Sequence, residues 1–158
     1  DRQGALTALA NGTSDERIAA LDIFYNRYAG NSLVLDKWFS IQAMSRRSDT
    51  VARVRALYAH PDFDLKNPNR ARSLIFSFCA ANPAQFHAED GSGYAFWADQ
   101  VIALDAINPQ VAARLARSLE LWRRFTPALR DGMRAALEKV ASQAKSRDVR
   151  EIVEKALA

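Results

Sequence analysis

At 158 residues, 49% of them hydrophobic and 25% charged, the chain has the size and composition of one globular domain able to bury a core. No apolar run approaches the ~18 residues of a membrane span. The single cysteine, Cys79, excludes an intrachain disulfide and suits a reducing, cytoplasmic setting. The net charge of +4 is uneven: residues 1–110 hold 11 Lys and Arg against 12 Asp and Glu, whereas residues 111–158 hold 11 against 6. That excess is read as a solvated face, or as a surface for an acidic group or nucleic acid. The opening Asp1-Arg2-Gln3-Gly4 lacks Met and lacks the order of a secretory signal. A missing Met suggests a segment of something longer, with trimming or processing as the other explanation.

In chain order, the first helix is expected near residues 14–29, with Ser14 as its cap. The next, over 33–44, is apolar nearly all round (Leu33, Val34, Leu35, Trp38, Phe39, Ile41), which predicts a central, buried helix. Val51, Val54 and Tyr58 mark a short third. From there the chain repeats one device: Asn67-Pro68, Asn82-Pro83, Asn108-Pro109 and Thr126-Pro127 each set a capping side chain before proline. The side-chain oxygen can accept from an orphan first-turn N–H, and proline at the first helical position has no N–H to leave unpaired. Each pair therefore predicts a helix start and ends what precedes it.

Apolar spacing agrees. Ala71, Leu74, Ile75, Phe78 and Cys79 form one stripe; Val111, Leu115, Leu119, Trp122 and Phe125 another. Leu129, Met133, Ala136, Leu137 and Val140 form a third, and Val149, Ile152, Val153, Ala156 and Leu157 a fourth. Tyr94, Trp97, Val101 and Ile102 mark a further helix after the irregular loop from His87 to Gly93. No stretch alternates with period two, so no strand is expected. An all-α chain of about 8–10 short helices at uneven intervals fits a degenerate helical-hairpin stack in one domain, residues 1–158.

Catalytic signatures are missing. There are two histidines, His60 and His87, and no His-Glu-x-x-His pair, phosphate-binding glycine loop or Gly-x-Ser-x-Gly elbow. His87 with Glu89 and Asp90 could be imagined around a metal, but capping and loop hydrogen bonds explain them more simply. Cys79 with His87 could be imagined as nucleophile and base, but Cys79 falls on a core stripe. No catalytic residue and no metal ligand is therefore assigned. Arg72 and Arg114 each sit beside an apolar stripe. A flanking arginine can snorkel to solvent, its stem covering apolar surface, or line a groove and hold a carboxylate in a two-pronged hydrogen bond.

Several stretches together resemble the C-terminal domain of the Gram-negative bacterial aminopeptidase N group of M1-family zinc peptidases. They are Leu35-Asp36-Lys37-Trp38-Phe39, Asn67-Pro68-Asn69-Arg70-Ala71-Arg72-Ser73-Leu74, the run from Asn82 to Tyr94, Asn108-Pro109-Gln110-Val111-Ala112-Ala113-Arg114-Leu115 and the final Lys155-Ala156-Leu157-Ala158. Residues 35–158 carry this resemblance; 1–34 match only as generic helix. It implies a right-handed, ARM/HEAT-like helical superhelix, the last of four domains. Such a domain folds over the zinc-bearing domain and walls off an internal cavity that peptides enter. It implies that zinc and its ligands belong to preceding catalytic domains of the same polypeptide, with no cofactor in this chain. It also implies that Arg72, Arg114 and Gln110 look into the substrate cavity. The chain alone is expected to be inactive, within a parent that removes N-terminal residues from peptides and needs no membrane. Two rivals remain: a basic helical-repeat module binding nucleic acid, and a scaffold binding a protein partner. The near-neutral first 110 residues and the lack of aromatic–basic interleaving weigh against nucleic acid.

Overall fold

The computed structural model describes residues 15–158; the expected Ser14 cap lies outside them. Every regular element among the described residues is helical. They group into two compact units, one ending at Gln85 and the other spanning Phe86–Ala158.

The first unit contains α1 (Asp15–Tyr28), α2 (Ser32–Ala43), α3 (Thr50–Tyr58), α4 (Pro68–Ala71), a π-helical turn (Arg72–Phe76) and α5 (Ser77–Ala81). Helix α6 (Pro83–Phe86) begins in this unit and ends at the first residue of the second. Helix α2 is packed by α1, α3 and the π-turn. Its residues Leu35, Trp38, Phe39, Ile41, Gln42 and Ala43 are buried. The helix is central and largely buried, as expected, but not on every side. Leu33 is 72% exposed and Met44 40%. At 100° per residue, positions 33, 37, 40 and 44 share one face, and that face meets solvent. Trp38 fixes the register of α2 on α1 by donating its indole N–H to the Leu21 carbonyl at 3.0 Å.

Helices begin at Pro68, Pro83, Pro109 and Pro127, as the Asn/Thr-Pro pairs predict. Asn67 Oδ1 accepts from the Asn69 and Arg70 amides at 3.1 and 3.2 Å. Asn82 accepts from the Gln85 amide at 3.3 Å while its Nδ2 donates to the Ala43 and Ser45 carbonyls. Thr126 differs: its side chain makes no capping hydrogen bond, and the start there rests on its extended backbone and on Pro127.

The second unit contains α7 (Ser92–Asp105), α8 (Pro109–Ala116), 3-10 turns at Arg117–Leu119 and Trp122–Arg124, α9 (Pro127–Gln143) and α10 (Arg147–Leu157). Tyr94, Trp97, Val101 and Leu104 of α7 enter a core with Leu115, Met133, Leu137, Val140, Val149 and Val153. The spacing from Val111 to Phe125 reads as one stripe, but the structure breaks it into α8 and two 3-10 turns. The reason is a tertiary contact. The Leu115 carbonyl, which a continuing helix would give to residue 119, instead accepts the Trp97 indole N–H at 2.8 Å. Phe125 consequently leaves the core and stacks on His87, with ring centroids 4.7 Å apart.

The His87–Gly93 loop is shaped by its own side chains. Asp90 Oδ1 accepts from the Ser92 amide and hydroxyl at 2.9 and 2.6 Å, and Gly91 turns the chain at φ 75°. A Cβ on Gly93 would overlap the Phe86 carbonyl. Gly93→Ala should therefore cost about 2 kcal/mol or more. Gly30→Ala, with nothing within 4 Å of an added Cβ, should stay within about 0.5 kcal/mol. Urea denaturation of the two variants checks the contrast.

Candidate functional site

The sequence places Gln110 and Arg114 four residues apart, one above the other on a helix. Helix α8 realises this: Asn108 Oδ1 accepts from the Val111 amide at 3.3 Å, and Ala112, Leu115 and Ala116 turn inward. Gln110 and Arg114 are left on the exposed side, facing a groove of about 710 Å³ whose opposite wall is α10. Ala113, Leu121, Ile152 and Ala156 line its apolar surface. Its charged rim holds Arg114, Arg117, Arg123 and Lys155 against Glu120, Asp148 and Glu151.

These charges are not equally available. Arg117 lies 3.5 Å from Glu120, an exposed pair that contributes little. Arg123 donates to the Ala156 and Leu157 carbonyls at 2.9 Å each, capping α10, with its guanidinium over the Trp122 ring. The Trp122 indole donates to the same Ala156 carbonyl at 2.9 Å. Arg114 and Lys155 make no hydrogen bond or ion pair to any described residue, and both point charge at the groove. Arg72 lies in the first unit, exposed, at the first position of the π-turn, also with no partner among the described residues.

The far wall is held from below by Asp105, at the end of α7. Its Oδ2 accepts from the Lys145 and Ser146 amides at 2.7 and 3.1 Å, and Ser146 Oγ in turn caps α10 at Val149. The buried Oδ1 has no protein partner. Burial pushes this carboxyl up, but the hydrogen bonds from Ser146 and Lys145 and the Lys145 charge outweigh it and hold it below the ordinary aspartate value.

Other sequence candidates are otherwise occupied. His87 Nδ1 lies 2.7 Å from the Tyr94 hydroxyl, and burial lowers its pKa. Burial raises that of Tyr94 to about 12. Asp90 serves the loop. No group of three or more metal-ligating side chains converges among the described residues. Cys79 is buried, which pushes its thiol up and keeps it protonated. No helix is long and apolar enough to cross a membrane among the described residues. Three residues escaped the sequence reading: Arg70, Asp105 and Arg123. Each acts through a backbone group or charge more than 30 positions away. Only the placement of Arg70 beside the core position Ala71 offered a local hint.

Short capped helices, two cores and a charged groove without a converged set of catalytic groups define a helical-repeat domain. The chain belongs to the family described as a domain of unknown function, DUF3458_C, of ARM repeats, whose model matches residues 1–158. It is 46% identical over 142 residues, 89% of the chain, to an aminopeptidase N from Caulobacter vibrioides. It is 42% identical over its whole length to the aminopeptidase N of Escherichia coli. Among solved structures it is similar to Legionella pneumophila aminopeptidase A in complex with aspartic acid, with a TM-score of 0.91 and 37% identity over 97% of the chain. The chain spans 16% and 18% of the two curated relatives and 18% of the solved chain. The resemblance to aminopeptidase N is thus borne out, and it reaches the first 34 residues as well.

Acidifying the chain through the folded pKa of Asp105 should loosen α10. A carboxyl with a depressed folded pKa contributes fully above its unfolded value, near pH 4, and the contribution is lost as pH falls below that. Asp105→Asn should lower stability at pH 7 by about 1–3 kcal/mol and flatten this acid limb. Thermal melts from pH 7 to pH 2.5 of both proteins test it.

Proposed function

We propose that this chain is the C-terminal, non-catalytic domain of a zinc-dependent aminopeptidase, where it walls the internal cavity and helps admit and hold peptides. One observation carries the reading: relatives bearing aminopeptidase names align along 89–100% of the chain at 37–46% identity, or 97% for the solved one. Zinc and the groups that activate water at it belong, on this reading, to preceding domains of the same polypeptide, which are the chain's partners. The cytoplasm is its compartment, in keeping with one buried, reduced cysteine.

The chain's contribution is steric and electrostatic. A wall of packed helices excludes folded proteins and passes short peptides. Arg114, with Gln110 beside it, and Arg72 present unspent hydrogen-bond donors. Such cations attract a peptide's carboxylate while its amino end lies at the metal. Binding energy gained far from the scissile bond then orients it. The nucleic-acid alternative draws less support, because the first 110 residues carry no basic excess and several basic side chains of the last helices are held in ion pairs. Arg134 pairs with Glu138, Lys139 with Asp99 and Arg150 with Glu154.

In the full-length polypeptide, Arg114→Ala or Arg72→Ala should raise KM roughly tenfold for short peptides with a free carboxyl end, with kcat little changed. Aminoacyl amides, which lack that carboxylate, should be unaffected. Steady-state kinetics on both substrate classes decide: equal effects on both, or none on either, would remove the carboxylate role. The isolated chain should release no amino acid and hold no stoichiometric zinc, which metal analysis reads directly.

A further inference from the structure

The helix that carries Arg72 changes its winding at that residue. Helix α4 passes into the π-turn Arg72–Phe76 before α5 resumes at Ser77. Its buried residues come in neighbouring pairs, four positions apart: Arg70 and Ala71, Leu74 and Ile75, Phe78 and Cys79. In an uninterrupted α-helix Phe78 would sit about 80° round the axis from Arg70. A π-turn takes up roughly one residue more than an α-turn, which returns the two to one face. The turn therefore lets one helix bury an arginine at its start and an apolar row behind it.

Arg70 imposes that demand. Its side chain is 7% exposed, with Nε 2.5 Å from Asp36 Oδ1, itself on α2. The guanidinium also donates to the Asp62 carbonyl and, at 3.3 Å, to Ser32 Oγ. It lies 5.3 Å from the centre of the Phe39 ring. A buried charge this well satisfied has one orientation, and breaking it would leave its counter-charge stranded. Ser73 Oγ donates to the Arg70 carbonyl at 2.8 Å, tying the turn to its anchor. Arg72, two residues on, is exposed and has no partner among the described residues.

We propose that Arg70, held by Asp36, is a positioning residue whose ion pair fixes the phase at which the helix enters the π-turn, and so the direction in which Arg72 leaves it. This rests on the reading of Arg72 as a ligand-facing arginine. Leu74, Ile75 and Phe78 pin the later turns in the core. Without the anchor the first turn can relax to α-helical winding, a rotation of about 100° that carries Arg72 with it.

Amide exchange reads the lock without substrate. In the chain bearing Arg70→Met, the amides of residues 72–76 should exchange at least about tenfold faster relative to those of α7. Asp36→Asn, a milder change, serves if the first variant does not fold. An unchanged ratio overturns the proposal, whatever Arg72 does. In the full-length polypeptide, Asp36→Asn should raise KM for free-carboxyl peptides, leave kcat and amide substrates alone, and add nothing on top of Arg72→Ala. Arg70→Lys should restore part of the affinity lost in Arg70→Met. Equal losses on both substrate classes, or effects that add to those of Arg72→Ala, overturn the positioning role. If Arg72→Ala alone discriminates nothing, the reading of Arg72 falls instead, and the exchange ratio decides the lock.

Discussion

A protein made of short helices is largely made of helix ends, and each end leaves up to four N–H or C=O groups without an intrahelical partner. Satisfying those groups away from water is the constraint on which the rest of this structure depends. The three tryptophans show it. Each indole is buried and donates to a backbone carbonyl on another element: Trp38 to Leu21, Trp97 to Leu115 and Trp122 to Ala156. In the last two the acceptor lies in a final helical turn, so a large apolar ring and a hydrogen-bond cap arrive in one residue. At N-termini the side-chain oxygens of Asn67, Asn82, Asn108 and Ser146 accept from first-turn amides.

The same constraint recruits charge. Asp105 and Arg123 are ionisable, yet both direct their hydrogen bonds to the two ends of α10. Helix α10 is thereby clasped at both termini, and it forms one wall of the groove whose other wall carries Gln110 and Arg114. A groove framed by fixed helices can hold donors in place without spending ligand-binding energy on ordering them. The cations left free there, Arg114 and Lys155, are those the capping scheme did not need.

Arg70 and Arg72 illustrate how close in sequence these two fates can lie. Two positions apart, one is buried in a multi-partner network and the other is exposed and unpaired. The π-turn that begins at Arg72 reconciles the buried arginine with the apolar row that follows, and such turns are frequent at functional sites.

The sequence by itself determined the all-helical class, the starts at Pro68, Pro83, Pro109 and Pro127, and the core faces of α9 and α10. Those features depend on residues within a turn or two of each other: a cap, a proline, a repeat of 3.6. It also placed Gln110 and Arg114 on one face of α8, because a spacing of four guarantees it. Tertiary structure alone decided where α8 stops, since the Leu115 carbonyl is taken by an indole 18 positions earlier. It decided that Leu33 would face solvent and that Arg70, rather than Arg72, would be buried. It decided that Asp105 would serve a helix 40 positions later. In each of these the outcome turns on a partner brought close by packing. A single buried charge or carbonyl accepts whichever partner the fold delivers, and no local pattern of apolar residues encodes which one that is.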